Sequence, residues 1–368
     1  MKILIASDKY KESCYASEVG LAIAKGIQSA DATIMTTVHP MADGGDGSLG
    51  ILEKHLELKK IDLVSEDPLG RSIRAYYLSD GDTAYIELAV ASGMELLDTT
   101  ERAVMKGNTF GSGLLIKHAI EKGNKNVNLF LGGSCTNDAG LGILCALGYK
   151  FLDGDKNELR PCGKNLDDID YIISPEYTVE IDLRILTDVS NTLHGRQGAA
   201  YVYGPQKKAS SAEVELLDKG LQHIAVTIER TTGKKVSDLS GTGAAGGIAA
   251  GLVGVLGGKI ENGFKFLSTI TDLEKTIQEH DIVITGEGRI DRQSYYGKVV
   301  GGIVQLCAKH NKKVILVAGE IQKKSQASFQ TIILDTFDII EIAKDKDDAM
   351  KDTEHYLEEI GKNIVACI

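Results

Sequence analysis

Short apolar runs rich in β-branched residues recur along this chain, and most are separated by stretches with an apolar period near 3.6 residues. Lys2–Ile5 reads as a strand. From Ser17, a candidate N-cap with Glu18 in the first turn, Val19, Ala22, Ile23 and Ile27 fall on one helical face. Thr33–Val38 predicts the next strand and Leu49–Leu56 the next helix. Ala84–Leu88, Val127–Leu131, Leu183–Thr187, Asp281–Thr285, Val314–Ala318 and Thr331–Leu334 predict further buried strands. Leu141–Leu147, Val299–His310 and Asp352–Ile364 predict helices. Alternation of this kind means an α/β architecture with largely parallel sheets.

The two chain ends share a clean doubly wound pattern. The middle is looser, with turn clusters at Asp67-Pro68-Leu69-Gly70 and Asp153–Asn157. The expectation is a Rossmann- or flavodoxin-like domain built discontinuously from residues 1–66 plus 281–368, with an α/β domain of residues 67–280 inserted into it. Two consecutive domains are the alternative topology.

Charge narrows the partners. With 41 Lys+Arg against 52 Asp+Glu the net charge is −11, which argues against nucleic acid or an anionic membrane, since a phosphate-rich surface must be met by clustered cations. The uncharged stretch Gly241–Gly258 is no membrane span, because eight of its 18 residues are glycine. The polar turn after Ile5 predicts no signal peptide. Six scattered cysteines without a C-x-x-C pair fit a reducing cytoplasm.

Candidate chemistry gathers after the strands, where open α/β sheets bind ligands. Ser7-Asp8-Lys9-Tyr10-Lys11 follows the first strand, and Asp43-Gly44-Gly45-Asp46-Gly47 the second. Later strands are followed by Gly132-Gly133-Ser134-Cys135-Thr136-Asn137-Asp138, by Asp188-Val189-Ser190-Asn191 and by Gly286-Glu287-Gly288-Arg289-Ile290-Asp291. The Gly132–Ser134 loop, placed before a helix, suits a phosphate or a carboxylate, or is simply a tight turn. Gly241–Gly247 matches G-x-G-x-x-G but lacks a preceding strand and a ribose-binding acid, so a dinucleotide reading is weak. Gly297-Lys298 resembles a P-loop fragment, with Arg292 where the first glycine belongs. The cations Lys11, Arg71, Arg289 and Lys298 and the acids Asp8, Asp43, Asp46, Asp138, Asp188 and Asp291 fit phosphoryl transfer, which needs cations, Mg²⁺ and an orienting carboxylate.

These blocks, together with Asp67-Pro68-Leu69-Gly70-Arg71, Glu87-Leu88-Ala89, Tyr203-Gly204-Pro205-Gln206-Lys207 and Gly243-Ala244-Ala245-Gly246-Gly247, resemble the type-one glycerate kinase family over nearly the whole chain. The resemblance implies ATP-dependent phosphorylation of D-glycerate, with Mg²⁺, to 2-phosphoglycerate or 3-phosphoglycerate. On this reading Asp188 and Lys11 are catalytic. Asp8, Arg71, Ser134, Asn137, Asp138, Asn191 and Arg289 hold the substrate. Gly132, Gly133, Gly243, Gly246, Gly247, Gly286, Gly288 and Lys298 serve ATP, and Asp46 and Asp291 serve the metal. The competing readings are an NAD-dependent hydroxy-acid oxidoreductase and a non-catalytic glycerate sensor.

Overall fold

The computed structural model describes residues 1–11, 13–177, 180–291, 294, 298–322 and 331–368. In chain order the strands begin with β1 (Lys2–Ile5), β2 (Met35–Val38), β3 (Lys59–Glu66), β4 (Ser72–Ser79), β5 (Thr83–Glu87) and β6 (Asn126–Phe130). They continue with β7 (Lys150–Leu152), β8 (Tyr171–Ile173), β9 (Asp182–Thr187), β10 (Lys259–Asn262), β11 (Ile282–Ile290), β12 (Lys313–Ile321) and β13 (Ile333–Asp338). Two compact units result. One comprises Met1–Asp43, Gly50–His55 and Asn262–Ile368, the other Gly44–Leu49 and Leu56–Glu261.

The first unit carries a five-stranded sheet in the order β13-β12-β11-β1-β2, with every pair parallel. Counted within the unit, that is the doubly wound order 2-1-3-4-5, whose direction of winding reverses between β1 and β11. Ile3, Leu4, Ile5, Val283, Ile284, Ile315, Leu316 and Val317 are fully buried, as strands covered on both faces require. Helices Ala16–Ala30 and Thr353–Val365 pack together at a glycine crossing: a Cβ on Gly361 would stand 3.0 Å from the Gly26 Cα. The first of these helices begins at Ala16 rather than after Ser17. Tyr15 precedes it, and the Tyr15 amide donates to Glu18 Oε2 at 2.9 Å.

β11 and β12 are longer than their apolar runs suggest. Gly286, Gly288 and Arg289 belong to strand rather than loop, with Gly286 opposite Val317 and Arg289 opposite Glu320. A side chain at Gly286 would collide with the Val317 carbonyl, so this glycine serves strand approach. β13 starts two residues later than expected and runs on to Asp338.

The second unit holds a six-stranded sheet in the order β10-β9-β6-β5-β4-β3. Here the expectation of a largely parallel sheet needs correction. β5/β6 and β6/β9 are parallel, but β3/β4 and β4/β5 are antiparallel. The turn between β3 and β4 is the Asp67–Gly70 cluster. Asp67 Oδ1 accepts from the Leu69 and Arg71 amides at 2.8 and 2.9 Å, and Gly70 adopts φ +86°. A 22-residue helix, Ser211–Thr232, is absent from the sequence reading although its signals are present. Ser210 Oγ accepts from the Glu213 amide, Glu213 answers on the Ser210 amide, and Val214, Leu217, Leu221, Ile224 and Ile228 form its buried stripe.

Candidate functional site

In the first unit the carboxyl ends of β1 and β11 meet at the point where the winding reverses. The Asp8 amide donates to the Gly286 carbonyl at 2.9 Å, and Tyr10 Oη reaches across to the Val317 carbonyl at 2.7 Å. These bonds hold the loop after β1 against β11 and β12. The place is crowded with acids. Burial, then the charge of Asp43, with a further contribution from Glu287, raises the Asp8 carboxyl well above its ordinary range, although the Lys9 amide and ammonium oppose the shift. Glu287 is raised too, by burial and by Asp43 and Asp291, against a Ser294 hydrogen bond and the charge of Lys298. Glu287 Oε1 is buried without a hydrogen-bond partner among the described residues.

Cations ring this group unevenly. Lys11 is exposed. Lys298 is the residue preceding helix Val299–Lys309 and screens Glu287. Arg289 stands 3.8 Å from Glu320. Gly297 and Arg292, of the P-loop-like fragment, lie outside the described residues. The Asp291 amide donates to Ser294 Oγ at 2.9 Å, and the Ser294 amide to Asp291 Oδ1 at 3.4 Å.

In the second unit the loop after β6 is stapled in place. The Met94 amide donates to the Gly133 carbonyl at 2.8 Å, and the Cys135 amide to the Ser92 carbonyl at 3.0 Å. Gly132 lets the segment carrying Asp46 come close, since a Cβ there would sit 2.8 Å from the Asp46 amide nitrogen. Ser134 Oγ accepts from Lys207 Nζ at 2.9 Å, and the Thr136 carbonyl accepts from the same ammonium at 2.6 Å. Asn137 is buried, and its Nδ2 has no partner among the described residues.

Asp188 comes just after β9. Burial and then the charge of Asp188 push the Tyr203 phenol up to about 12, and Tyr203 Oη donates to Asn191 Oδ1 at 2.7 Å. Asn191 joins this loop to the glycine-rich one, its carbonyl accepting from the Gly241 and Gly243 amides at 3.2 and 3.0 Å.

Several residues expected to touch ligands are occupied by the fold. Asp138 Oδ2 accepts from the Thr109 amide (2.7 Å), Thr109 Oγ1 (2.8 Å) and the Gly142 amide (3.1 Å), while Oδ1 takes the Gly140 amide at 3.2 Å. Arg71 turns its fork onto Asp67 at 2.5 Å and Glu101 at 2.8 Å. Burial would raise Asp67, but the hydrogen bonds from Arg71 and Leu69 hold it below the usual carboxylate range. Gly246 and Gly247 are left-handed, as is Ala245. Side chains there would strike Thr136 and, at 2.9 Å, Leu193 and Leu221. Gly243 abuts the Thr192 carbonyl in the same way. This motif is a packing joint between loops rather than the strand-to-helix turn that dinucleotides occupy. Sequence reasoning does not single out Lys207 or Glu287, because nothing local marks a charged side chain for burial.

The pattern of the glycerate kinase family matches residues 3–368. The chain is 36% identical to glycerate 2-kinase of Escherichia coli (strain K12), across 100% of this chain and 98% of that one. It is also 36% identical, with the same coverage, to glycerate kinase of Bacillus subtilis (strain 168). A crystal structure from Salmonella typhimurium LT2, given as a proposed glycerate kinase 2, superposes with a TM-score of 0.78 at 33% identity, covering 100% of this chain and 97% of its own. The α/β scaffold with polar, acid-rich strand ends is accordingly that of a phosphotransferase with an alcohol group as acceptor. The chain belongs to the glycerate kinase family. No helix among the described residues is long and apolar enough to cross a membrane.

Proposed function

We propose that the chain transfers the γ-phosphoryl group of ATP to the 2-hydroxyl of D-glycerate, giving 2-phosphoglycerate and ADP, with Mg²⁺ and in the cytoplasm. The family match over residues 3–368 carries this reading, and the acid- and glycine-rich strand ends support it. The hydroxyl oxygen forms the new P–O bond as the bond to the ADP oxygen breaks. Asp188 takes the hydroxyl proton, and Lys11 offsets negative charge on the transferring group. Ser134, Asn137 and Asn191 orient the substrate, with Asp8 and Arg289 as further contributors. Gly132, Gly133, Gly288 and Lys298 serve the nucleotide.

Mg²⁺ takes hard oxygen ligands, commonly one or two carboxylates together with phosphate. The crowded carboxylates Asp8, Asp43 and Glu287, beside the proposed ligand Asp291, fit that donor set, with Asp46 as a second candidate. Among the described residues they do not form a preassembled cage of three. Bound with ATP, the ion would neutralise charge on the phosphate oxygens.

Incubation with D-glycerate and MgATP should release ADP, and the product should resolve as 2-phosphoglycerate. Formation of 3-phosphoglycerate alone would move the acceptor to the other hydroxyl. Failure to release ADP would sink the kinase reading.

The raised carboxyls also predict a pH dependence. An acid whose folded pKa exceeds its unfolded value keeps its proton longer in the native state, so stability falls as pH rises from the ordinary carboxylate range through the folded value. Asp8 and Glu287 both shift in that direction. Mg²⁺ should therefore raise the thermal midpoint clearly at about pH 7 and hardly at about pH 4, where these groups hold protons. Equal increments at both pH values would remove the acidic cluster as the cation site.

A further inference from the structure

Among the described residues Lys207 is the only buried lysine or arginine, with 2% of its surface exposed. No carboxylate lies within ion-pairing distance of it among those residues. Two of its ammonium hydrogens go to neutral oxygens, Ser134 Oγ and the Thr136 carbonyl. A buried charge without a counter-ion costs several kcal/mol, so the fold keeps this lysine at the expense of stability.

The charged and titratable groups facing it are Cys135 and Asp138. Cys135 is pushed up to about 12 by burial and stays a neutral thiol. Asp138 directs its carboxylate onto Thr109, Gly140 and Gly142. Burial brings the Lys207 ammonium down to about 8, with Cys135 and Asp138 opposing the shift.

Accepting from Lys207 leaves the Ser134 hydroxyl hydrogen to donate elsewhere, and it has no acceptor among the described residues. On the same loop Asn137 Nδ2 and Thr136 Oγ1 are buried and unpartnered. Donors therefore outnumber acceptors around a cation that lacks its anion.

We propose that Lys207 is a positioning residue: by holding Ser134 Oγ it turns the Ser134 hydroxyl outward, completing with Asn137 an anion subsite for a carboxylate or phosphate oxygen of a substrate. The inference rests on the kinase reading above for the identity of that substrate. A merely structural lysine would stabilise its loop; this one destabilises the free protein and is compensated when the anion binds.

The test is calorimetric binding of D-glycerate and, separately, of ADP to the full chain from about pH 6.5 to about pH 9.5. Affinity for one of the two should fall about tenfold per pH unit above about pH 8, as the ammonium loses its proton. The responding ligand tells carboxylate from phosphate. Lys207→Met should bind that ligand about 100-fold more weakly at pH 7, without the pH dependence, while unfolding at or above the wild-type temperature. Ser134→Ala combined with Lys207→Met should lose no more than Lys207→Met alone, since the two act as a unit.

Both affinities preserved within about threefold in Lys207→Met, or an unaltered pH profile in that variant, would overturn the proposal. If Lys207→Met does not fold, Ser134→Ala decides: about tenfold weaker binding of one ligand supports the subsite, and unchanged binding of both ends it. Wild-type ADP release from D-glycerate and MgATP is scored separately, so loss of the kinase reading is distinguishable from loss of the subsite.

Discussion

Turnover of D-glycerate with MgATP should fall about 1,000-fold when Asp188 is replaced by Asn. The substitution preserves the shape of the side chain just after β9 but removes its capacity to take a proton. The neighbouring Tyr203 and Asn191 have hydrogen bonds of their own. Tyr203 is held by its hydrogen bond to Asn191 Oδ1, and Asn191 is fastened by its own Nδ2 to the Gln197 carbonyl at 2.7 Å. Losing the negative charge should also let the Tyr203 phenol titrate lower than about 12, an ultraviolet difference measurement that reports on the same position independently. Steady-state kinetics separate the outcomes. A fall in kcat with little change in KM marks a group engaged in the transition state. Turnover within about tenfold of wild type would remove Asp188 from the proton-accepting role.

The second large effect is on stability. Replacing Asp138 by Ala should cost about 3 kcal/mol or more in urea unfolding, because buried donors would lose their acceptor together. The Thr109 amide precedes helix Phe110–Glu121, and the Gly140 and Gly142 amides open helix Leu141–Ala146. One carboxylate therefore ties two helix starts, where unpaired amides and dipoles favour negative charge. Thr109 Oγ1 extends the tie by accepting from the Ile143 amide at 3.1 Å. Burial raises Asp138, but the hydrogen bonds from Thr109, Gly142 and Gly140 counter the shift. Asp138→Asn, the milder variant, should lose stability while its folded fraction retains KM for D-glycerate within about threefold. A stable variant with a selectively raised KM would return Asp138 to the substrate.

The central parallel strands were readable because they are buried on both faces, so uninterrupted β-branched runs such as Val314–Ala318 announce themselves. β3 and β4 behave differently. Lys59, Lys60 and Asp62 alternate with Ile61 and Leu63, and exposed Val64 breaks the rhythm, so the antiparallel hairpin leaves only its Asp67–Gly70 turn as a clear mark. Loop chemistry was legible as a set and ambiguous residue by residue. Aspartate after a strand serves equally as ligand or as scaffold, and nothing local in the sequence shows that the Asp138 carboxylate closes on Thr109, Gly140 and Gly142. The same holds for glycine: Gly132 admits a neighbouring loop, while Gly286 admits a neighbouring strand. Burial of Lys207 depends on segments more than 70 residues away, the separation between it and Ser134 being 73, and no local pattern records it.

β1 leaves the ribosome early, yet Ile3 must pair with Ile282 and the Lys2 amide with the Asp281 carboxylate, 279 residues later. At ordinary elongation speeds that is a wait on the order of tens of seconds. Leu56–Glu261 is continuous apart from the short Gly44–Leu49 segment, so it can begin to assemble while the apolar Ile-Leu-Ile strand still lacks β11 on one side. The nascent chain thus carries one unpaired, adhesive edge of β1 until β11 has been made. Its dependence on chaperones should be greatest for mutations that delay β11, far from the residues that stick.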